Sequence, residues 1–192
     1  MPNQSWLQTL AWAPVAGSPV TGAAALSLLP PAARAPLPAG FFNIGTLLRV
    51  KASGVISTLV TSPGTLTIDF RLGTIATPII VFSGGALALN VTAQVNAMWT
   101  LELDMACRAV GIGTAANLIG TGRFTSRALL GTPAVGTEQG VGVATLPDTA
   151  AVVGTGFDSV DVPNIADLFA TWSVSNAANT MTLYQYTLES LN

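Results

Sequence analysis

From about residue 45 onward, apolar and polar side chains take turns along the chain. A period of two marks strands with one face buried. Leu66, Ile68, Phe70 and Leu72 alternate with Thr65, Thr67, Asp69 and Arg71. The longest run sets Trp99, Leu101, Leu103, Met105, Cys107 and Ala109 against Thr100, Glu102, Asp104, Ala106 and Arg108. Near the C-terminus, Ala166, Leu168, Ala170, Trp172 and Val174 alternate with Asp167, Phe169, Thr171 and Ser173. Each segment is expected to turn its apolar set, Trp99 and Trp172 included, toward a common core. Clusters of turn-forming residues separate them: Ser53-Gly54, Ser62-Pro63-Gly64, Ser83-Gly84-Gly85, Gly111-Ile112-Gly113 and Asn176-Ala177-Ala178-Asn179. Ser53-Gly54 reads as the tight turn of a hairpin between Leu47–Ala52 and Val55–Val60. The Asn-Ala-Ala-Asn turn would join Val174 to Met181 in the same way. No stretch of ten residues has clean 3.6-residue periodicity with capping residues, and no internal repeat is visible. Short strands at this spacing predict an all-β fold, an antiparallel β-sandwich of jelly-roll type.

The first forty residues break the alternation. Pro14, Pro19, Pro30, Pro31, Pro36 and Pro38 remove backbone donors and fix φ, which excludes a long helix or a central strand. Yet Trp6, Leu7, Leu10 and Trp12 are too apolar for a solvated linker. The expected organisation is an extended N-terminal attachment arm over residues 1–40 and a sandwich domain over residues 41–192. Such an arm gains order by lying on a neighbouring subunit or a different protein, with Trp6, Leu7, Leu10 and Trp12 as partner-binding anchors. On that reading, removing residues 1–25 leaves a folded oligomer that no longer binds its partner. The stretch from Gly131 to Pro163 is looser, with four carboxylates and a short alternation at Val141, Val143 and Thr145. Loops of that length often meet partners.

Composition turns this outline toward an assembly. Half of the 192 residues are hydrophobic and only 8% are charged, against roughly 25% in ordinary soluble domains. With few solvated ions to keep surfaces apart, such a chain is expected to bury much of its exterior in permanent contacts. The net charge of −2, with seven cations scattered from Arg34 to Arg127, provides no stripe for consecutive phosphates. No nucleic-acid partner is expected. Cys107 is the single cysteine, so a disulfide framework is excluded. Met1-Pro2-Asn3-Gln4-Ser5 lacks the features of a secretory signal. Although no charge falls between Arg71 and Glu102, Pro78, Gly84-Gly85, Asn90, Gln94 and Asn96 cut that stretch too short for a membrane-spanning helix.

Candidate chemistry is sparse, and no enzymatic activity is expected. Histidine is absent, which removes serine–histidine and cysteine–histidine pairs together with the commonest metal ligand. Lys51, the only lysine, stands beside Arg49 on one strand face as a solvated cation. Cys107 lies on an apolar face and behaves there as a small hydrophobe. Glu102 and Asp104, two apart on a polar face, resemble a glycosidase pair only in spacing, and cations such as Arg49, Arg71 or Arg108 on adjacent strands account for them. Asp148, Asp158, Asp161 and Asp167 match no compact calcium loop. Gly111-Ile112-Gly113 and Gly154-Thr155-Gly156 lack the lysine of a phosphate-binding loop, and Asn90-Val91-Thr92 is only formally a glycosylation acceptor. Catalytic, metal and cofactor sites are therefore expected to be none.

Particular segments carry a family likeness. These are Leu28-Leu29-Pro30, Leu37 to Phe42, Leu48 to Thr58, Pro63 to Thr67 and Asp69 to Gly73. The strongest are Gly154 to Asp158, Asp167 to Ser173 and Tyr186 to Asn192. Through them the chain resembles small jelly-roll structural proteins of tailed bacteriophages and prophages, of the capsid decoration or head-spike type. The resemblance implies a virion component that forms a homotrimer and has no enzymatic activity; the expected location is the capsid exterior, after synthesis in the host bacterial cytoplasm. Its partners would be the major capsid protein or another virion protein, and further copies of itself. The alternative expectation is a tail-fibre or baseplate adhesin that binds host carbohydrate through the loops of 131–163.

Overall fold

The alternating segments form two antiparallel sheets packed face to face. The computed structural model describes residues 7–130, 140–147 and 154–191. Eleven strands follow one another: β1 (Leu7–Trp12), β2 (Leu26–Ser27), β3 (Ala35–Leu37), β4 (Leu47–Thr58), β5 (Thr65–Gly73), β6 (Pro78–Ala88), β7 (Gln94–Ala109), β8 (Asn117–Ser126), β9 (Gly142–Leu146), β10 (Asn164–Trp172) and β11 (Thr180–Leu191). The larger sheet has the order β1-β11-β4-β7-β8-β9 and the smaller β2-β10-β5-β6, with β3 also on β10. The pairings of β4 with β11 and β5 with β10 are nested, whereas β5–β6, β7–β8 and β8–β9 are sequential antiparallel neighbours and β4 lies beside β7. The expected all-β sandwich is the fold observed.

The inward sets are those the alternation marks. Leu66, Ile68, Phe70 and Leu72 meet Trp99, Leu101, Leu103, Met105 and Cys107 from the facing sheet, all buried with Ala166, Leu168, Ala170 and Trp172. Trp99 stacks on Phe124 with centroids 6.0 Å apart, and its indole N–H donates to the Val55 carbonyl at 3.1 Å. β9 accounts for the alternation seen in its sequence: Val143 and Thr145 face out, while Leu146 is buried.

Three turns expected from sequence take other forms. Ser53-Gly54 lies inside the continuous strand β4. Gly54 sits opposite the β-bulge between Leu183 and Gln185 of β11, where a Cβ would run into the Thr182 carbonyl. Here the missing side chain permits close backbone approach and does not reverse the chain. Ser83-Gly84-Gly85 likewise lies within β6, at a register shift against β5. The turn at 176–179 does reverse the chain, but it carries it from the smaller sheet to the larger, so β10 and β11 are not a hairpin.

The segment set apart as an arm is extended, and from Leu7 to Leu37 it lies on its own sandwich. β1 pairs with β11, Val20 bridges Met181, and β2 and β3 pair with β10. The result is a strap down one open side of the sandwich. Val20, Leu28, Leu29, Ala33, Ala35 and Leu37 are buried in the core, and the Trp172 indole donates to the Val20 carbonyl at 2.9 Å. Prolines exclude this segment from central strands only; an edge tolerates them.

Within this core the Tyr186 ring is buried and its hydroxyl has no hydrogen-bond partner among the described residues; burial holds the phenol well above its usual ionisation range. An unmade buried hydrogen bond costs about 1–3 kcal/mol. Tyr186→Phe is therefore expected to raise stability by about 1 kcal/mol, read as a higher urea midpoint at constant m-value; an unchanged midpoint would show that the hydroxyl is satisfied in solution.

Candidate binding face and cleft

The exterior of the larger sheet collects the polar positions of six strands, and their registers align these into rows. One row runs Trp12, Thr187, Lys51, Glu102, Arg123, Thr145 across all six strands. The next runs Thr9, Glu189, Arg49, Asp104, Thr121. On the other side lie Gln185, Ser53, Thr100, Thr125 and Val143. Neighbouring strands are about 4.8 Å apart, so opposite charges in adjacent rows and columns meet directly. Arg49 Nε lies 2.8 Å from Asp104 Oδ1, and Arg123 Nη2 lies 3.1 Å from Glu102 Oε2. The hydrogen bond with Asp104, seconded by that carboxylate's charge, pushes the Arg49 guanidinium further up its range. Exposed pairs of this kind contribute about 0–1 kcal/mol each. Among the described residues Lys51 and Arg108 are the exposed cations of this face that make no ion pair, Arg108 toward the end holding Leu191 and Lys51 in the middle of the face.

Between β1 and β7 the face sinks into a cleft of about 550 Å³ lined by Trp12, Lys51, Ser53, Thr100, Glu102, Gln185 and Thr187. Trp12 forms one wall and is 63% exposed. On the floor the Ser53 hydroxyl donates to Gln185 Oε1 at 3.3 Å. This cleft offers an apolar ring face, hydroxyls, an amide and a free ammonium group side by side.

Of the four anchors expected in the arm, Trp6 lies outside the described residues. Leu10 is half-buried against the chain's own core at the bulge in β1, whereas Leu7 and Trp12 are open to solvent. Glu102 and Asp104 are partnered across strands, Asp104 by the Arg49 named for it and Glu102 by Arg123, which sequence reasoning did not name. Asp148 lies outside the described residues. Asp158 accepts backbone N–H groups of Gly113 at 2.7 Å and of Val160 and Asp161 at 2.9 Å, which hold its carboxyl below the usual range and fix two loops together. Asp167 is buried beneath the strap, accepts from the Ser27 hydroxyl and lies 3.1 Å from Arg34 Nε. Burial dominates there and raises its carboxyl above the usual range. Asp69 beside it pairs with Arg71 at 3.0 Å, and Arg71 stacks over Phe169 at 4.3 Å. These aspartates do not converge, and among the described residues no cluster of three metal-ligating side chains occurs. Cys107 is buried, its thiol pushed up by the loss of solvent. No helix among the described residues is long and apolar enough to cross a membrane.

The two ends of the sandwich differ in charge. At the end holding Leu7 and Leu191, Arg108 and Asp161 are exposed. At the other end the loops 59–64, 89–93 and 173–179 contain no charged residue. They expose Val60, Val91 and Val174, with Val95 at the start of β7 beside them. The loops are tied together: Thr61 N–H donates to Val91 O at 2.7 Å, Leu59 N–H to Asn179 Oδ1 at 2.8 Å, and Asn179 Nδ2 to Pro63 O at 3.0 Å.

No protein-family model matches the chain, and neither does any curated protein. Among solved structures, the CBM2 module of the evolved Dit of Lactobacillus casei BL23 phage J-1 is similar over 98% of both chains, at 11% identity and a TM-score of 0.37.

Proposed function

We propose that this protein is a non-enzymatic structural component of a bacteriophage particle, a capsid decoration or head-spike protein that docks on the capsid as a homotrimer. The observation that carries the reading is the uneven distribution of charge. The exposed ions lie mainly on the exterior of the larger sheet, whereas the loops 59–64, 89–93 and 173–179 at one end carry no charge, are held by mutual hydrogen bonds and expose Val60, Val91 and Val174 beside Val95 of β7. A rigid, uncharged apolar surface gains free energy when a partner covers it, and ordering it costs little on binding. The family resemblance in the strand segments favours a major capsid protein or another virion protein as the partner. Attachment through several subunits at once multiplies a modest contact. No metal or cofactor enters this role.

The test mixes purified protein with particles lacking it and images them by electron microscopy. Regular density on the head is expected, with its symmetry giving the oligomer number. Val60→Asp and Val91→Asp, both at exposed positions, should leave the fold intact and remove that density. Density confined to the tail, or head density unaffected by both substitutions, would overturn the reading.

A further inference from the structure

The Trp12 cleft lies on the charged exterior of the larger sheet, away from the loops 59–64, 89–93 and 173–179, and capsid docking through those loops leaves it unused. Its wall and floor differ in character in a way that narrows the ligand. A tryptophan exposed to 63% beside water presents a broad apolar face that is not compensated by burial. An apolar protein side chain placed on that face would bury Lys51, Ser53, Thr100 and Gln185 without giving them partners. A sugar ring has the required two-sidedness: C–H groups on one face for the indole, and hydroxyls around its rim for Ser53, Thr100, Thr187 and the Gln185 amide. The cleft crosses four strands, roughly 14 Å, which suits an oligosaccharide better than a single ring.

Charge then selects within the saccharides. Glu102 is held by Arg123 at 3.1 Å and Asp104 by Arg49 at 2.8 Å, and Glu189 lies one row away opposite Arg49, so of the carboxylates on this face only the paired Glu102 lines the cleft. The Lys51 ammonium group is left exposed at the cleft floor, one strand from Thr187 and two from Trp12. We propose that the cleft binds an acidic oligosaccharide, with one sugar ring stacked on Trp12 and a sugar carboxylate paired with Lys51. Uronic acid and sialic acid units share this chemistry.

The experiment probes the full-length protein on an array of uronate-, sialate- and neutral-sugar oligomers at physiological ionic strength, then titrates the best acidic oligomer by calorimetry. Acidic oligomers are expected to bind in preference to neutral ones. Trp12→Ala should weaken binding by about tenfold or more, Trp12→Phe should retain most of it, and Lys51→Met should erase the preference for acidic over neutral sugars. Both positions are exposed, so unfolding midpoints should not move, and Asp161→Asn at the far end serves as the unaffected control. The proposal is overturned if no acidic oligomer binds, if Trp12→Ala binds as the native protein does, or if Lys51→Met leaves the acidic preference intact. Particle docking is read on the valine variants, so either proposal can fail alone.

Discussion

Removing residues 1–25 is expected to destabilise the sandwich by about 5 kcal/mol, a large share of the roughly 5–15 kcal/mol typical of a domain. The truncation removes β1, which covers the edge of β11, and Val20, which is buried in the core. Full burial of a valine side chain is worth about 1.5–3 kcal/mol. It also takes away the carbonyl to which the Trp172 indole donates at 2.9 Å. A buried N–H left without an acceptor costs a further 1–3 kcal/mol or so. The backbone bonds from Ala13 to Tyr186 and from Gly17 to Leu183 go as well. Urea unfolding of the truncated and full-length chains measures the loss. A midpoint matching that of the full-length protein would mean that the strap detaches freely in solution, as an arm awaiting another surface would. The expectation of an intact fold after this truncation rested on treating the segment as separate from the sandwich, and its buried residues contradict that.

Trp99→Ala should cost about 3–5 kcal/mol, the range for deleting a large aromatic from a packed core. Trp99 is completely buried on the longest strand and stacks on Phe124 of β8. Its loss leaves a cavity lined from both sheets and frees the Val55 carbonyl of β4. Because that carbonyl can reach water more easily than an indole N–H deep in the core, the cavity is the larger part of the penalty. Thermal unfolding should show a clear drop in midpoint with the β-sheet signal retained at low temperature. A drop smaller than about 2 kcal/mol would mean that the surrounding leucines collapse into the space.

The core was legible because alternation is a local property. Leu66 to Leu72 and Trp99 to Cys107 declare their inward faces whatever strands they pair with, and each of those apolar residues is buried. Features that depend on a distant partner were not legible. Gly54 looks like a turn until the bulge of β11 is placed opposite it. Asp167 occupies a polar position of its strand, yet lies buried, because the segment around Ser27 and Arg34 folds over it, and Asp69 on the neighbouring strand is buried against Arg71. The candidate site divides along the same line. Trp12 stands out in sequence by its apolarity in a segment without a repeating pattern, but Lys51, Thr100, Gln185 and Thr187 are ordinary outward residues. Only the registers of β1, β11, β4 and β7 bring them into one cleft.

The antiparallel pairing of β1 with β11 also has a mechanical side. Leu7 and Leu191 are register partners at the same end of the sandwich. A tension applied between these two points acts across the hydrogen bonds, and peels β1 from β11 one bond at a time instead of shearing all of them together. Resistance to such a pull is governed by the rate of opening, not by the total free energy of folding. The pull would first strip β1 and the Trp12 wall of the cleft, while the buried rows between the sheets stayed closed. A load entering instead through the uncharged loops at the far end would meet the hydrogen-bonded knot around Asn179 and reach the core directly.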